Sequence, residues 1–383
     1  MRRIGLVFLV VPFLAVSMVM AEDLSSLYRE FQVPTYEAKT LSVSGRDILY
    51  VYQKGEFLRI ESKLSGNFYW LRQSPELTWW VDENLWLDLT KVGDADLETD
   101  YRSMLSVEGH KYFTSYNGVF GIGGSDLDYR KDGDPDLWVR GGVGIGRVIV
   151  VTPVAEAIAI SKELFSAGML KRELSKETLG KLADLLAKVS AYQVNFKDDW
   201  EIRFYEDLAD IINAEGSSTI STAAAFKIRQ IRVSPVYVIS RKSIGWEIAA
   251  LYENHVMYKG DIGKDKGRLH AYFKYAKPMA LNTQLVGSID CWVPLEPTDT
   301  DVYAQLRYTL DHTYTWSSYA GVSLRTTIPE QGDTTHDYKL SVRTGYNIIN
   351  RLRLNAEACA SGTTIKGENL VVEGRIYFTY YIF

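Results

Sequence analysis

From about residue 243 to its end the chain alternates apolar and polar side chains with a period of two, in segments long enough to cross a bilayer. Between Asp301 and His312, Val302, Ala304, Leu306, Tyr308 and Leu310 alternate with Asp301, Tyr303, Gln305, Arg307, Thr309 and Asp311. The same division recurs in Arg268 to Tyr275, where Leu269, Ala271, Phe273 and Tyr275 face away from Arg268, His270, Tyr272 and Lys274. It recurs again in Lys339 to Tyr346 and in Arg351 to Ala360. Successive side chains of a strand point to opposite faces, so each segment meets two different environments. A soluble sandwich also alternates, but its strands tend to be short, whereas a tilted strand needs about 9–11 residues to span hydrocarbon.

Eight such segments follow residue 243, at about 244–258, 267–278, 281–294, 299–312, 313–327, 336–346, 349–361 and 367–383. The first half is harder to divide. Residues 97–108 alternate clearly, 60–73, 77–90, 118–130 and 136–150 are further candidates, and 46–53 is a weaker one. Closure with both termini on one side needs an even total. The expected fold is therefore all-β, an antiparallel transmembrane β-barrel of about 12 to 14 strands with a mostly helical insertion.

That insertion is expected over residues 152–231. Thr152 can cap a helix with Pro153 at its first position, and Ala155, Ile158, Ala159, Leu164 and Phe165 follow at helical spacing before Gly168. Ser175 opens a second helix carrying Leu179, Leu182, Leu185, Leu186 and Val189 on one side. A third runs from Trp200 to Ala214, and Ser218 to Ile231 offers a fourth. These helices are too short and too charged to face lipid. An even number of preceding strands puts them at the periplasmic end, as a small domain below the mouth or as a plug turned inward.

The two ends add a family likeness. Arg2 and Arg3 precede an apolar run from Ile4 to Val19, and Val19 and Ala21 form a small-residue cleavage site. Residues 1–21 thus read as a signal peptide, with the mature chain starting at Glu22. Thr379, Tyr380, Tyr381, Ile382 and Phe383 close the chain on an aromatic strand with a terminal Phe. In this combination the chain resembles the outer-membrane β-barrel proteins of Gram-negative bacteria, porin-like in layout. The resemblance implies an outer-membrane location, lipid and lipopolysaccharide as surroundings, and recognition of the last strand by the barrel-assembly machinery through Tyr377, Tyr381 and Phe383. The domain layout that follows is a periplasmic segment over 22–45, a first barrel part over 46–151, the insert, and a second barrel part over 232–383. In the family register Phe383, Tyr381, Thr379, Tyr377 and Arg375 face lipid; the other register turns Ile382, Tyr380, Phe378, Ile376 and Val372 outward. Either a bulge resets the parity or bulky aromatics fill the lumen near the periplasmic rim. A looser resemblance joins the chain to uncharacterised outer-membrane proteins with a helical insert after a Gly-rich strand ending in Thr-Pro, here Thr152 and Pro153.

Several other functions are disfavoured. A net charge of −5 speaks against a nucleic-acid partner. Gly141, Gly142, Gly144 and Gly146 mimic a dinucleotide loop, but the helix opens only after Val148 to Thr152, so no helix N-terminus meets a phosphate. These glycines suit bends, or another element pressing on the wall. Asp126, Asp128, Asp132, Asp134 and Asp136 lack the order of a calcium loop and read as an acidic, solvated extracellular turn. Five dispersed histidines show no ligand spacing, and Asp311 and His312 diverge as strand neighbours. No metal, cofactor or catalytic centre is expected. Cys291 alternates onto the lipid side and Cys359 onto the lumen side, so both thiols are expected free.

The polar faces carry the functional expectation. Arg268, Lys274, Arg307, Arg343, Arg351, Arg353, Glu357 and Glu373 are candidate lumen-lining residues. Between Lys339 and Arg375 cations outnumber acids, which points to a weak anion preference. The chain is expected to be a porin-like channel or transport-associated protein for small solutes or ions. The alternative is a non-conducting structural or interaction barrel whose insert binds a periplasmic partner, with an outer-membrane hydrolase a more distant third.

Overall fold

The computed structural model describes residues 35–53, 56–92, 96–113, 118–131, 133, 135–215, 224–225, 228–229, 241–258, 261–262, 267–296, 299–313, 315–349, 352–364 and 370–381. The expected signal peptide and Phe383 lie outside them. Six strands come first: β1 (Tyr36–Gln53), β2 (Glu56–Gln73), β3 (Leu77–Val92), β4 (Glu98–Tyr112), β5 (Val119–Arg130) and β6 (Asp136–Val150). Eight follow the insert: β7 (Ser243–Tyr258), β8 (Arg268–Ala280), β9 (Thr283–Pro294), β10 (Thr300–Asp311), β11 (Trp316–Ile328), β12 (Thr335–Ile349), β13 (Leu352–Thr363) and β14 (Val371–Tyr381). A two-residue extension, Asp261–Ile262, pairs only with the end of β7. Every neighbouring pair is antiparallel, β6 pairs with β7 across the insert, and β1 pairs with β14, so the sheet closes into a fourteen-strand barrel.

The pairing sorts the side chains into two solvents. In-register rows such as Ser65–Trp86–Arg102 and Arg307–Gly321–Ser341 point inward. The opposite phase carries Leu85, Val143, Ile145, Ile248, Leu269, Ile289, Val322, Leu324, Val342 and Ile376, all exposed. Trp246, Trp316, Tyr346 and Tyr380 ring this apolar belt at one end, and Tyr129, Tyr252 and Tyr338 at the other. Aromatic girdles at both edges of an apolar band are what two water–lipid interfaces select. The short turns at 74–76, 281–282 and 312–315 lie at the first end, and the longer connection at 329–334 at the second.

Some expectations need correction. β1 begins at Tyr36, inside the segment expected to be periplasmic. Its polar residues fall on both faces, Lys39 beside Thr40 and Ser42, so alternation is silent; cross-strand pairing with β2 over Tyr36–Gln73 and with β14 fixes it instead. The last strand takes the second register. Thr379 pairs with Ser44 and Tyr377 with Asn355 on the inner face, without a bulge, while Ile376, Phe378 and Tyr380 face out. The register expected from the family likeness is therefore not the one adopted, and Tyr377 is buried in the lumen beneath Arg343, whose guanidinium carbon lies 5.1 Å from its ring centre. Asp126 and Asp128 do not form a solvated turn; they stand on the inner face of β5 and pair with Arg140 and Arg102. Cys291 and Cys359 fall outward and inward as expected, and both are free.

The insert is a small helical domain with its own core, of α1 (Thr152–Ser166), α2 (Lys176–Ala187), α3 (Val189–Phe196) and α4 (Trp200–Asn213). Leu164, Leu182, Phe204, Leu208 and Ile212 are buried together, and Ala224 and Ile228 join them. Residues 218–231, expected as a fourth helix, lie largely outside the described residues; α3 was not anticipated, since its apolar residues show no one-sided pattern. Ser175 caps α2, accepting from the Thr178 amide at 3.3 Å. Thr152 does not cap α1: Val151 holds that place, and the Thr152 hydroxyl accepts the Lys242 amide at 3.1 Å. On the domain surface, burial and the Asp207 carboxylate push the Tyr192 phenol up to about 12.

Candidate functional site

The lumen has two unlike walls. Along β4 to β8 the inner face is filled. Tyr112, Phe120, Ile122, Ala249, Leu251 and Tyr272 form one buried cluster. They can meet because β6 presents Gly142, Gly144 and Gly146 between them; a Cβ on Gly144 would stand 2.3 Å from the Phe120 ring. Charges on this wall are paired at close range. Glu108 lies 3.1 Å from His110 Nε2 and 2.7 Å from Arg140 Nε. Glu253 meets Arg268 at 2.5 Å and His270 at 2.8 Å, and Asp290 takes the other His270 nitrogen at 3.2 Å. Arg268 lies over Trp138 at 4.2 Å, and His270 stacks on Trp292 at 4.7 Å.

The wall from β10 to β14 is polar and open. Gln305, Arg307, Arg325, Asp337, Lys339, Glu373 and Arg375 point inward and are solvent-exposed. Arg343 donates to Asn355 at 3.0 Å, Asn355 to Thr379 at 3.0 Å, and Thr379 meets Ser44 at 3.0 Å, a polar rung that crosses the closing seam. A cavity of about 360 Å³ opens beside the seam, bordered by Lys63, Trp86, Asp88, Asp100, Arg102 and Arg375.

At the short-turn end, the hairpin formed by β6 and β7 leaves the wall. Gly146 and Gly245 adopt φ of +87° and +119°, and beyond them β6 no longer pairs with β5. The tip, residues 147–151 and 241–244, lies across the mouth. Arg147 is 1 % exposed: it donates to the Pro75 carbonyl at 2.7 Å and to that of Ser74, and its guanidinium lies 3.9 Å from the Tyr112 ring centre. Lys242, fully buried, meets Asp311 on β10 at 2.8 Å. Backbone groups that have lost a strand partner are met by side chains. The Val150 amide donates to Gln73 on β2 at 3.1 Å, and the Ser243 amide to Gln284 on β9, also at 3.1 Å. The tip thus reaches β2 and β3 on one flank and β9 and β10 on the other. A cavity of about 160 Å³ lies against it, lined by Tyr69, Trp80, His110, Tyr112, Val148 and Glu247 among others.

Of the candidate lumen residues, Arg268, Lys274, Arg307, Arg343, Arg353, Glu357 and Glu373 have inward register positions, and Arg351 lies outside the described residues. They are not one group. Arg268 and Lys274 belong to the filled wall, Lys274 lying 3.5 Å from Glu247 and 5.4 Å from the Trp80 ring centre; the other five line the open wall. The hairpin tip was not anticipated, because Arg147 and Lys242 stand at the edges of strands where alternation carries no information. The glycine run beside them was the one available signal.

This is the architecture of a transmembrane β-barrel: a closed antiparallel wall with an apolar outer belt and polar residues within. No family model matches the chain, and no curated protein sequence does. Among solved structures it is similar to the outer membrane protein OprD from Pseudomonas aeruginosa, at 8% identity over 92% of this chain and 95% of that one with a TM-score of 0.36. It is also similar to the outer membrane channel DcaP of Acinetobacter baumannii (8% identity, 91% and 97% covered, TM-score 0.34) and to a BenF-like porin from Pseudomonas fluorescens Pf-5 (5%, 92% and 99%, 0.35). The fold is read from the strand pairing, not from these likenesses.

Proposed function

We propose that the chain is a channel of the Gram-negative outer membrane that passes small solutes or ions along the polar wall from β10 to β14. The carrying observation is that open wall, with exposed Arg307, Lys339 and Arg375 inside a barrel whose outer belt is apolar. Charges left in water inside a hydrocarbon-clad tube are what an aqueous path requires. On this reading residues 1–21 are removed on export, the last strand is presented to the barrel-assembly machinery, and the belt meets lipid and lipopolysaccharide. Arg307, Lys339, Arg343 and Arg353 have no carboxylate within ion-pair distance among the described residues, which supports a weak anion preference. Planar-bilayer recordings test both points: discrete conductance steps with a reversal potential displaced toward the anion are expected in a salt gradient, and a clear cation preference sinks the selectivity.

The hairpin tip favours a second reading, a barrel that does not conduct and whose helical domain binds a periplasmic partner. Removing the tip and the domain distinguishes the two. A channel gains conductance, whereas a structural barrel stays silent.

A further inference from the structure

We infer that the tip of the β6–β7 hairpin, residues 147–151 and 241–244, is a movable gate hinged at Gly146 and Gly245, with the helical domain as its handle; this rests on the channel reading above. Three observations carry it. The hinge is defined on both strands: the two glycines hold left-handed φ values, and a Cβ on Gly245 would stand 2.1 Å from the Arg147 carbonyl oxygen, so only glycine lets the hairpin turn there. Next, apart from Leu281 of the β8–β9 turn, which packs against the domain core, the tip is seated by polar contacts. Arg147 on two backbone carbonyls, Lys242 on Asp311, and the Gln73 and Gln284 amides can each exchange their partners for water when the tip moves out, so the net cost of parting is small beside the number of bonds. A permanent stopper is better made of apolar side chains, since replacing a buried ion pair with them is often neutral or stabilising. Finally, the tip continues directly into α1, Val151 and Thr152 bond to Lys242, and Ile149, Val151 and Ile244 of the two strands pack in or against the domain core, so the tip follows its displacement.

Asp311 stands on β10, outside the tip, so changing it alters the seat without altering the gate. Asp311→Asn leaves the Lys242 charge buried against a neutral partner and should raise the open probability of single channels at least about tenfold. The pair Lys242→Met with Asp311→Leu replaces the latch by an apolar contact and should lower it, shifting the distribution toward the closed level. A barrel in which residues 148–244 are replaced by an Asn-Gly turn serves as the permanently open reference. Heat-modifiable gel mobility establishes that each barrel is folded. If both latch variants gate like the natural protein while the shortened barrel conducts, the tip is a static plug and the inference fails. If the folded, shortened barrel is silent, the channel reading itself is wrong.

Discussion

The two walls of the lumen share a backbone geometry and differ in what their side chains do. From β4 to β8 Tyr112, Phe120 and Tyr272 and the charged or polar Glu108, His110, Glu247 and Glu253 are buried, as in the interior of a soluble protein. From β10 to β14 many inward residues, Gln305, Arg307, Arg325, Lys339 and Arg375 among them, remain exposed. Closure needs no packed interior, because the hydrogen-bonded ring is complete without one; the filled wall therefore serves something besides closure, and it stands where the hairpin turns inward. Arg147 rests on Tyr112, and Tyr112 on Phe120 at 5.3 Å, so the packed wall is the footing of the gate.

The sharpest test of this contrast is Phe120→Ala, which empties a fully buried site and should cost about 3–5 kcal/mol, read from denaturant unfolding in detergent. A loss below about 1 kcal/mol would place Phe120 in a wet lumen. Glycines of the two walls should then respond unequally. Gly144→Ala drives a methyl into Phe120 and the Ile248 carbonyl and should cost about 1–3 kcal/mol, whereas at Gly321 the nearest obstacle is the Ser341 hydroxyl at 3.2 Å, which can rotate away, so Gly321→Ala should stay within about 1 kcal/mol. Equal losses at the two sites would erase the distinction. The smallest stability effect belongs to the wet wall: Arg307→Ala with Lys339→Ala should leave unfolding within about 0.5 kcal/mol of the parent while moving the reversal potential toward cations. A large destabilisation there would mean that the open wall is structural as well.

The same contrast separates what alternation reveals from what it hides. Alternation places the bounds of strands β8 to β13 within three residues, because lipid and water impose opposite demands on successive positions. In the filled wall the inner phase holds Phe120, Ile122, Ala249 and Leu251 while the outer phase is apolar too, so the period fades where a core replaces water. Lumen candidates such as Arg307 and Glu357 followed from phase alone. The roles of Arg147, Lys242 and Asp311 depend on contacts spanning 69 to 73 positions of chain, and no local pattern encodes those. Of the two registers that the last strand allows, the family likeness turns Tyr377 toward lipid; it lies inward, since the final strand takes its register from Asn355 and Ser44 beside it.

The seat of the hairpin is built from strands on both sides of the insert: Gln73 comes from the first six, Gln284 and Asp311 from the last eight. Neither portion of the chain can dock the tip alone. Full docking must therefore follow the arrival of β10, and until then the helical domain hangs from an unfinished sheet with Lys242 still hydrated.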